Sequence, residues 1–224
     1  MTDPTGQTAD PTSPGALFRA GRLDDAVAAA NAAVRKAPAD PGPRMLLAEL
    51  LLFQGNLDRA DTLMDALTTM EPGLALQGAA FRQLARAEQA RRQVWTDGRV
   101  PEFIGEPSPH LKRMLAAVVQ LRSGDTAGAV RALAEAEEAR PPAAGLEGSV
   151  PFTDFRDADD LCSGFFEVLT TTGKCFWVPT ERVAEMEFHA PERPRDLFWR
   201  RVTMSVRDVM QPGIPLVHPH ERLD

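Results

Sequence analysis

Long apolar runs, a basic excess and paired cysteines are missing from this chain of 224 residues, and each absence removes a class of protein. No stretch approaches 18 consecutive apolar residues, so membrane insertion is not expected. Acidic residues outnumber lysine and arginine by 32 to 25, a net charge of −7, which argues against binding to a nucleic-acid backbone. The two cysteines, Cys162 and Cys175, form no CxxC pair and are expected to be reduced thiols acting as small apolar fillers. The opening stretch, MTDPTGQTADPTSPG, has neither the basic nor the apolar region of a secretory signal. It reads as a disordered tail over residues 1–15, and the expected compartment is the cytoplasm. Glycine-rich phosphate loops, HExxH, GxSxG and Cys/His pairings are also lacking, so no cofactor, no metal and no catalytic group is expected. What is present, 43% hydrophobic and 25% charged residues, is enough to bury a real core.

The front half repeats. GRLDDA begins at Gly21 and GNLDRA at Gly55, with an alanine (Ala26, Ala60) and a proline (Pro38, Pro72) at matching offsets from each glycine. A third copy, GDTAGA, begins at Gly124 with Ala129 and Pro141 at the same offsets. The step from Gly55 to Gly124 is twice that from Gly21 to Gly55, within a residue, which leaves room for one degenerate copy between. A helix–turn–helix unit recurring every ~34 residues, as the first two copies do, is the tetratricopeptide signature. In the best copy Ala48 and Ala60 are small enough for two antiparallel helices to approach closely, and Gly55 ends the first helix in a left-handed conformation. Leu47, Leu51, Met64 and Leu67 supply the apolar stripe, and Arg44 stands where a large aromatic residue is usual. Helices are predicted near 16–20, 23–37, 42–54, 56–70, 74–95, 109–123 and 125–139.

After RPPAAGLEGS the period becomes β-like. Strands are predicted at 164–169 and 174–178 around a Thr-Thr-Gly turn, then in EMEFHA and LFWRRVTMSVR, the last with Phe198, Arg200, Val202, Met204 and Val206 on one face. GIPLVHP is predicted as a short edge strand because of its prolines. The expected fold is α+β: a disordered tail (1–15), a tetratricopeptide-like helical hairpin array (16–142), then a small antiparallel β-sheet or open-barrel domain (143–224) packed on the helices.

At this junction lies DFRDADD, with Asp154, Asp157, Asp159 and Asp160 around Arg156. Clustered carboxylates can hold magnesium or a metal pair, which would make the chain a metal-dependent hydrolase. The favoured reading is a structural junction, in which the aspartates cap turns and helix starts or pair with Arg156 and downstream arginines. His218 and His220, in a C-terminus expected to fray, are read as solvated, and His110 and His189 as surface or partly buried residues. Trp177 and Trp199, expected on neighbouring strands, are read as packing residues. Arg193, Arg195, Arg200 and Arg201 are expected to be solvated or paired with the aspartates.

Five stretches taken in order carry a resemblance: LARAEQARRQVWTDGRVPEFIG (84–105), LRSGDTAGAVRALAEAEEARP (121–141), GSVPFTDFRDADD (148–160), GKCFWVP (173–179) and RPRDLFWRRV (193–202). Their order and spacing resemble the ImpE/TagJ (SciE-type) family, accessory proteins encoded in bacterial type VI secretion clusters. The chain departs from the family in lacking tyrosine, with Cys175 and His220 where a phenol is common. The resemblance implies a non-enzymatic, cytoplasmic adaptor associated with the small contractile-sheath subunit and with the AAA+ ATPase that disassembles spent sheath. Stacked hairpins suit that role, since their curved surface receives a helix or peptide. By repeat register, Met45, Glu49, Leu52 and Phe53 face the concave side, with Gln83 and Arg86 from the next helix, and this apolar lining favours an amphipathic helix of the sheath subunit. The alternative, a co-chaperone-like module gripping acidic peptide termini, would need a lysine and arginine clamp that the first two repeats scarcely offer.

Overall fold

Caps and left-handed glycines set the helix ends. A computed structural model of the chain describes residues 10–207 and the backbone course of 216–219. Most of the tail expected at 1–15 lies outside the described residues, as does His220. Helix α1 (Pro14–Arg19) starts on Ser13, whose hydroxyl accepts the Ala16 N–H. Then follow α2 (Leu23–Lys36), α3 (Pro41–Phe53) capped by Asp40, α4 (Leu57–Met70) capped by Asn56 and, after a single 3-10 turn, α5 (Ala75–Thr96). Helices α6 (Pro109–Arg122) and α7 (Thr126–Ala139) are capped by Ser108 and Asp125.

The repeat glycines Gly21, Gly55 and Gly124 have φ of 73°, 73° and 81°. Each closes its helix with the same pair of backbone bonds; after α3, for example, the Gly55 N–H donates to the Leu52 carbonyl and the Asn56 N–H to that of Leu51. A side chain at these φ values would be strained, which explains why glycine recurs at the same place in each repeat. Ala48 with Ala60, and Ala117 with Ala129, are fully buried where the helices cross.

In the tail, β1 (Gly145–Glu147) and β2 (Val150–Phe152) form a two-stranded hairpin. Strands β3 (Phe165–Thr170), β4 (Cys175–Pro179), β5 (Val183–Phe188), β6 (Trp199–Val206) and β7 (Leu216–Pro219) form an open antiparallel sheet in the order β4-β3-β7-β6-β5, not a closed barrel. The expected edge strand is therefore central. Its prolines sit at the ends of the segment, so Leu216 and Val217 keep their N–H groups and pair with β3 on one side and β6 on the other, while Pro219 faces Trp199 alone. Two strands consequently separate Trp177 on β4 from Trp199 on β6, which are not on neighbouring strands as expected. Residues expected to begin the β6 strand instead form a short helix, α8 (Pro194–Phe198), so Phe198 is not part of the sheet.

The chain divides into two compact units: Met1–Ala85 with Pro191–Phe198, and Arg86–Ala190 with the chain from Trp199 onward. The boundary thus differs from the expected 142/143 and falls within α5. The reason is one continuous core in the second unit, where Val94, Leu111, Met114, Val118 and Ala136 from the helices pack with Phe165 and Trp177 of the sheet. A second cluster, around Val168, Val178, Val202 and Met204, packs on the sheet with Ile104, Phe166 and Met186.

Candidate functional site

The expected partner face lies on α3, in the first unit. Leucines 47, 50, 51 and 52 are all buried, so this helix is apolar nearly all round past Arg44 in its first turn, with Glu49 the charged residue in its buried stretch. Glu49 and Leu52 are fully buried, which corrects the expectation that they offer free side chains to a partner. The covering element is α8. Arg193 Nη2 lies 2.8 Å from Glu49 Oε1 and Arg195 Nε lies 3.9 Å from it. One turn along α3, the Phe53 ring meets Phe198 edge-on at 5.4 Å and Phe18 of α1 at 4.9 Å. Burial pushes the Glu49 carboxyl above the usual carboxylate range, against the pull of the two guanidinium groups. Arg193 and Arg195 therefore serve Glu49 and not the aspartate cluster. Met45 and Phe53 are half-buried. Gln83, half-buried, belongs to the first unit, and Arg86, exposed, to the second.

The aspartates at the junction are committed to arginines and turns. Asp154 takes the Arg140 guanidinium in a two-point clasp (Nη1–Oδ1 2.9 Å, Nη2–Oδ2 2.5 Å) and accepts the Ala143 N–H at 2.8 Å. Its partner Arg140 stands at the end of α7 and is almost wholly buried, an upstream arginine where a downstream one was expected. Arg156 pairs with Asp160 and approaches Glu137 at 3.6 Å. Asp157 accepts the Asp159 N–H at 2.8 Å and Asp159 the Leu161 N–H at 2.9 Å, so both close turns of their own loop. Among the described residues no three His, Cys, Asp or Glu side chains converge as metal ligands would.

The Arg140 clasp and the Ala143 N–H hold the Asp154 carboxyl well below the usual range. A depressed folded-state pKa stabilises the protein above the unfolded value, near pH 4, and that contribution fades as pH falls further. Asp154→Ala is expected to cost about 1–2 kcal/mol at neutral pH, because the clasp is partly exposed. The gap between the melting temperatures of wild type and variant should narrow steadily as pH falls below about 4; an equal gap at all pH values would refute the assignment.

A buried charge network escaped the sequence reading. Arg91 Nε and Nη2 hold both oxygens of Glu88 at 3.0 Å, Arg91 Nη1 reaches Glu167 at 3.2 Å, and Arg92 Nε reaches Glu88 at 2.9 Å. Trp95 Nε1 donates to Glu167 at 2.9 Å. The available signals were the spacing of Glu88, Arg91 and Arg92 on one helix face, and a glutamate inside the apolar strand FFEVLT. His110 was also misplaced: it is fully buried, its Nδ1 2.8 Å from the Ala136 carbonyl oxygen.

Comparison with known proteins places these features in a family context. The tetratricopeptide repeat model matches residues 17–85 and the ImpE protein model matches residues 149–222. A type VI secretion system accessory component, TagJ of Pseudomonas aeruginosa, is 28% identical over 183 residues. That match covers 82% of this chain and 65% of the relative, just under two thirds of its length. The crystal structure of protein VPA1032 from Vibrio parahaemolyticus shares the fold, with a TM-score of 0.84 at 24% identity over 92% of this chain and 77% of that one. The resemblance read from the sequence therefore holds: the chain carries an ImpE-family domain at 149–222 behind tetratricopeptide repeats at 17–85.

Proposed function

We propose that this chain is a non-enzymatic adaptor of a bacterial type VI secretion system. It binds a helix of the small contractile-sheath subunit in the cytoplasm and links that subunit to sheath assembly or to recycling by the AAA+ ATPase. The observation that carries this reading is the α3 face, which already seats a short helix through an arginine on Glu49 and an aromatic ring on Phe53. Arginine and aromatic anchors are the residue types that dominate helix and peptide recognition. The accessory role printed for the relative, TagJ, supports the same reading. Among the described residues no helix is long and apolar enough to cross a membrane.

The test is a calorimetric titration of the purified chain with the intact small sheath subunit. Saturable binding is expected, and Phe53→Asp should weaken it at least 30-fold, about 2 kcal/mol for the loss of an aromatic anchor. Leu52 is unsuitable as a probe, because an aspartate at a fully buried position would unfold the helix pair. No binding by the folded wild-type chain would overturn the sheath assignment.

A further inference from the structure

A buried carboxylate on a leucine-rich helix is an expensive way to build a core, since acidic residues are almost never fully buried without a partner. Replacing such a pair by well-packed apolar residues is often neutral or stabilising, so Glu49 calls for an explanation other than stability. Its only cationic partners among the described residues come from the 191–198 segment, and neither of its oxygens has a well-aligned hydrogen bond among the described residues. A carboxylate can accept both prongs of one guanidinium, so the site offers more than its present occupant uses.

That occupant has the form of a ligand. Asp196 Oδ2 accepts the N–H groups of Glu192 and Arg193 at 2.9 Å and folds PERPRDLF into a single short turn. The turn presents Arg193 to Glu49 and Phe198 to Phe53, while Leu197 between them remains 43% exposed. A helix of five residues has no stability of its own, so leaving the face sacrifices little structure.

We infer that the Glu49–Phe53 face of α3 is a receptor for short segments in which an arginine precedes an aromatic residue by five positions, and that Pro191–Phe198 is its resident occupant. A partner segment of the same chemistry enters by displacing the resident. This last step rests on the adaptor reading; the receptor and its resident do not.

The test uses a fluorescein-labelled peptide with the sequence of residues 191–198 and the full-length chain. In wild type the tethered resident competes at about millimolar effective concentration. The double variant Arg193→Ala, Phe198→Ala is therefore expected to bind the peptide at least tenfold more tightly than wild type. Adding Glu49→Gln to that background should weaken binding at least tenfold. Binding no tighter than wild type, or indifference to Glu49→Gln, overturns the inference. So does a double variant that no longer folds, because the segment is then core. On the unaltered chain, amides of Asp196–Phe198 should exchange with deuterium at least tenfold faster than those of Leu50–Phe53, and equal protection overturns the inference as well. No sheath subunit enters these assays, so a failure of the adaptor reading shows up separately, in the titration.

Discussion

Arg91→Met is expected to destabilise the second unit by about 3–5 kcal/mol at pH 7, the cost of removing one partner from a buried ion network. At about 2–4 °C per kcal/mol, the melting temperature falls by about 6–20 °C. The size follows from what is left behind: Glu88, fully buried, keeps Arg92 as its remaining cation, and Glu167 keeps the Trp95 N–H but loses its guanidinium. Methionine fills much of the arginine stem's volume, so the loss is of charge pairing more than packing. The effect also carries a pH signature. Burial holds the Glu167 carboxyl above its usual range, and the positive charge of Arg91 opposes that shift. Without Arg91 the carboxyl rises further. An acid raised in the folded state binds more protons there than in the unfolded state, so stability increases as pH falls through the folded value. The deficit of Arg91→Met should therefore be largest at neutral pH and shrink toward pH 5. Thermal melts at pH 7.5 and 5.0 read this directly; a deficit below about 1 kcal/mol, or one that grows in acid, would contradict the network's assigned role.

Trp177→Ala should cost a similar amount, about 3–5 kcal/mol, for a different reason. The indole is fully buried, stacked on Phe165 at 4.1 Å and 21°, with Trp95 at 5.8 Å and Phe103 edge-on at 6.5 Å. These rings come from α5, the loop after it and two strands, so the wall around the cavity is too well fixed to collapse into it. The urea midpoint measures the loss. A cost under about 1.5 kcal/mol would mean that helices and sheet do not share the single core described for the second unit.

The helices were legible because their signals are local. Glycine recurring at a fixed period, small alanines at the crossings and a polar cap before α1, α3, α4, α6 and α7 are readable without knowing what packs against them. The sheet was harder. The prolines around LVH argue correctly against unpaired donors within the segment, yet a strand only needs free N–H groups where it pairs, and the middle of β7 has them. The hairpin at Glu147–Val150 is too short to show alternation and read as loop. Leu197 and Phe198 read as the start of a strand, because a five-residue helix begun by Pro194 and tied by Asp196 has no period to detect. The register of α3 pointed to the α3 face now seen around Glu49 and Phe53. What it could not show was that a segment far along the chain fills it, because long-range pairing leaves no trace in local pattern. The kinds of partner at the charged junction, arginines and turn N–H groups, were legible, while the choice of Arg140 as the partner of Asp154 depends on where α7 ends in space.

The central claim is that the α3 face receives a helix of the small sheath subunit. Hydrogen–deuterium exchange of the full chain, with and without that subunit's isolated helical segment, tests it most directly. Slowed exchange is expected in α1 and α3 around Phe18, Glu49 and Phe53, together with faster exchange at Asp196–Phe198 as the resident is displaced. Saturating helix that leaves these amides unchanged, or that protects only the sheet of the second unit, would contradict the claim.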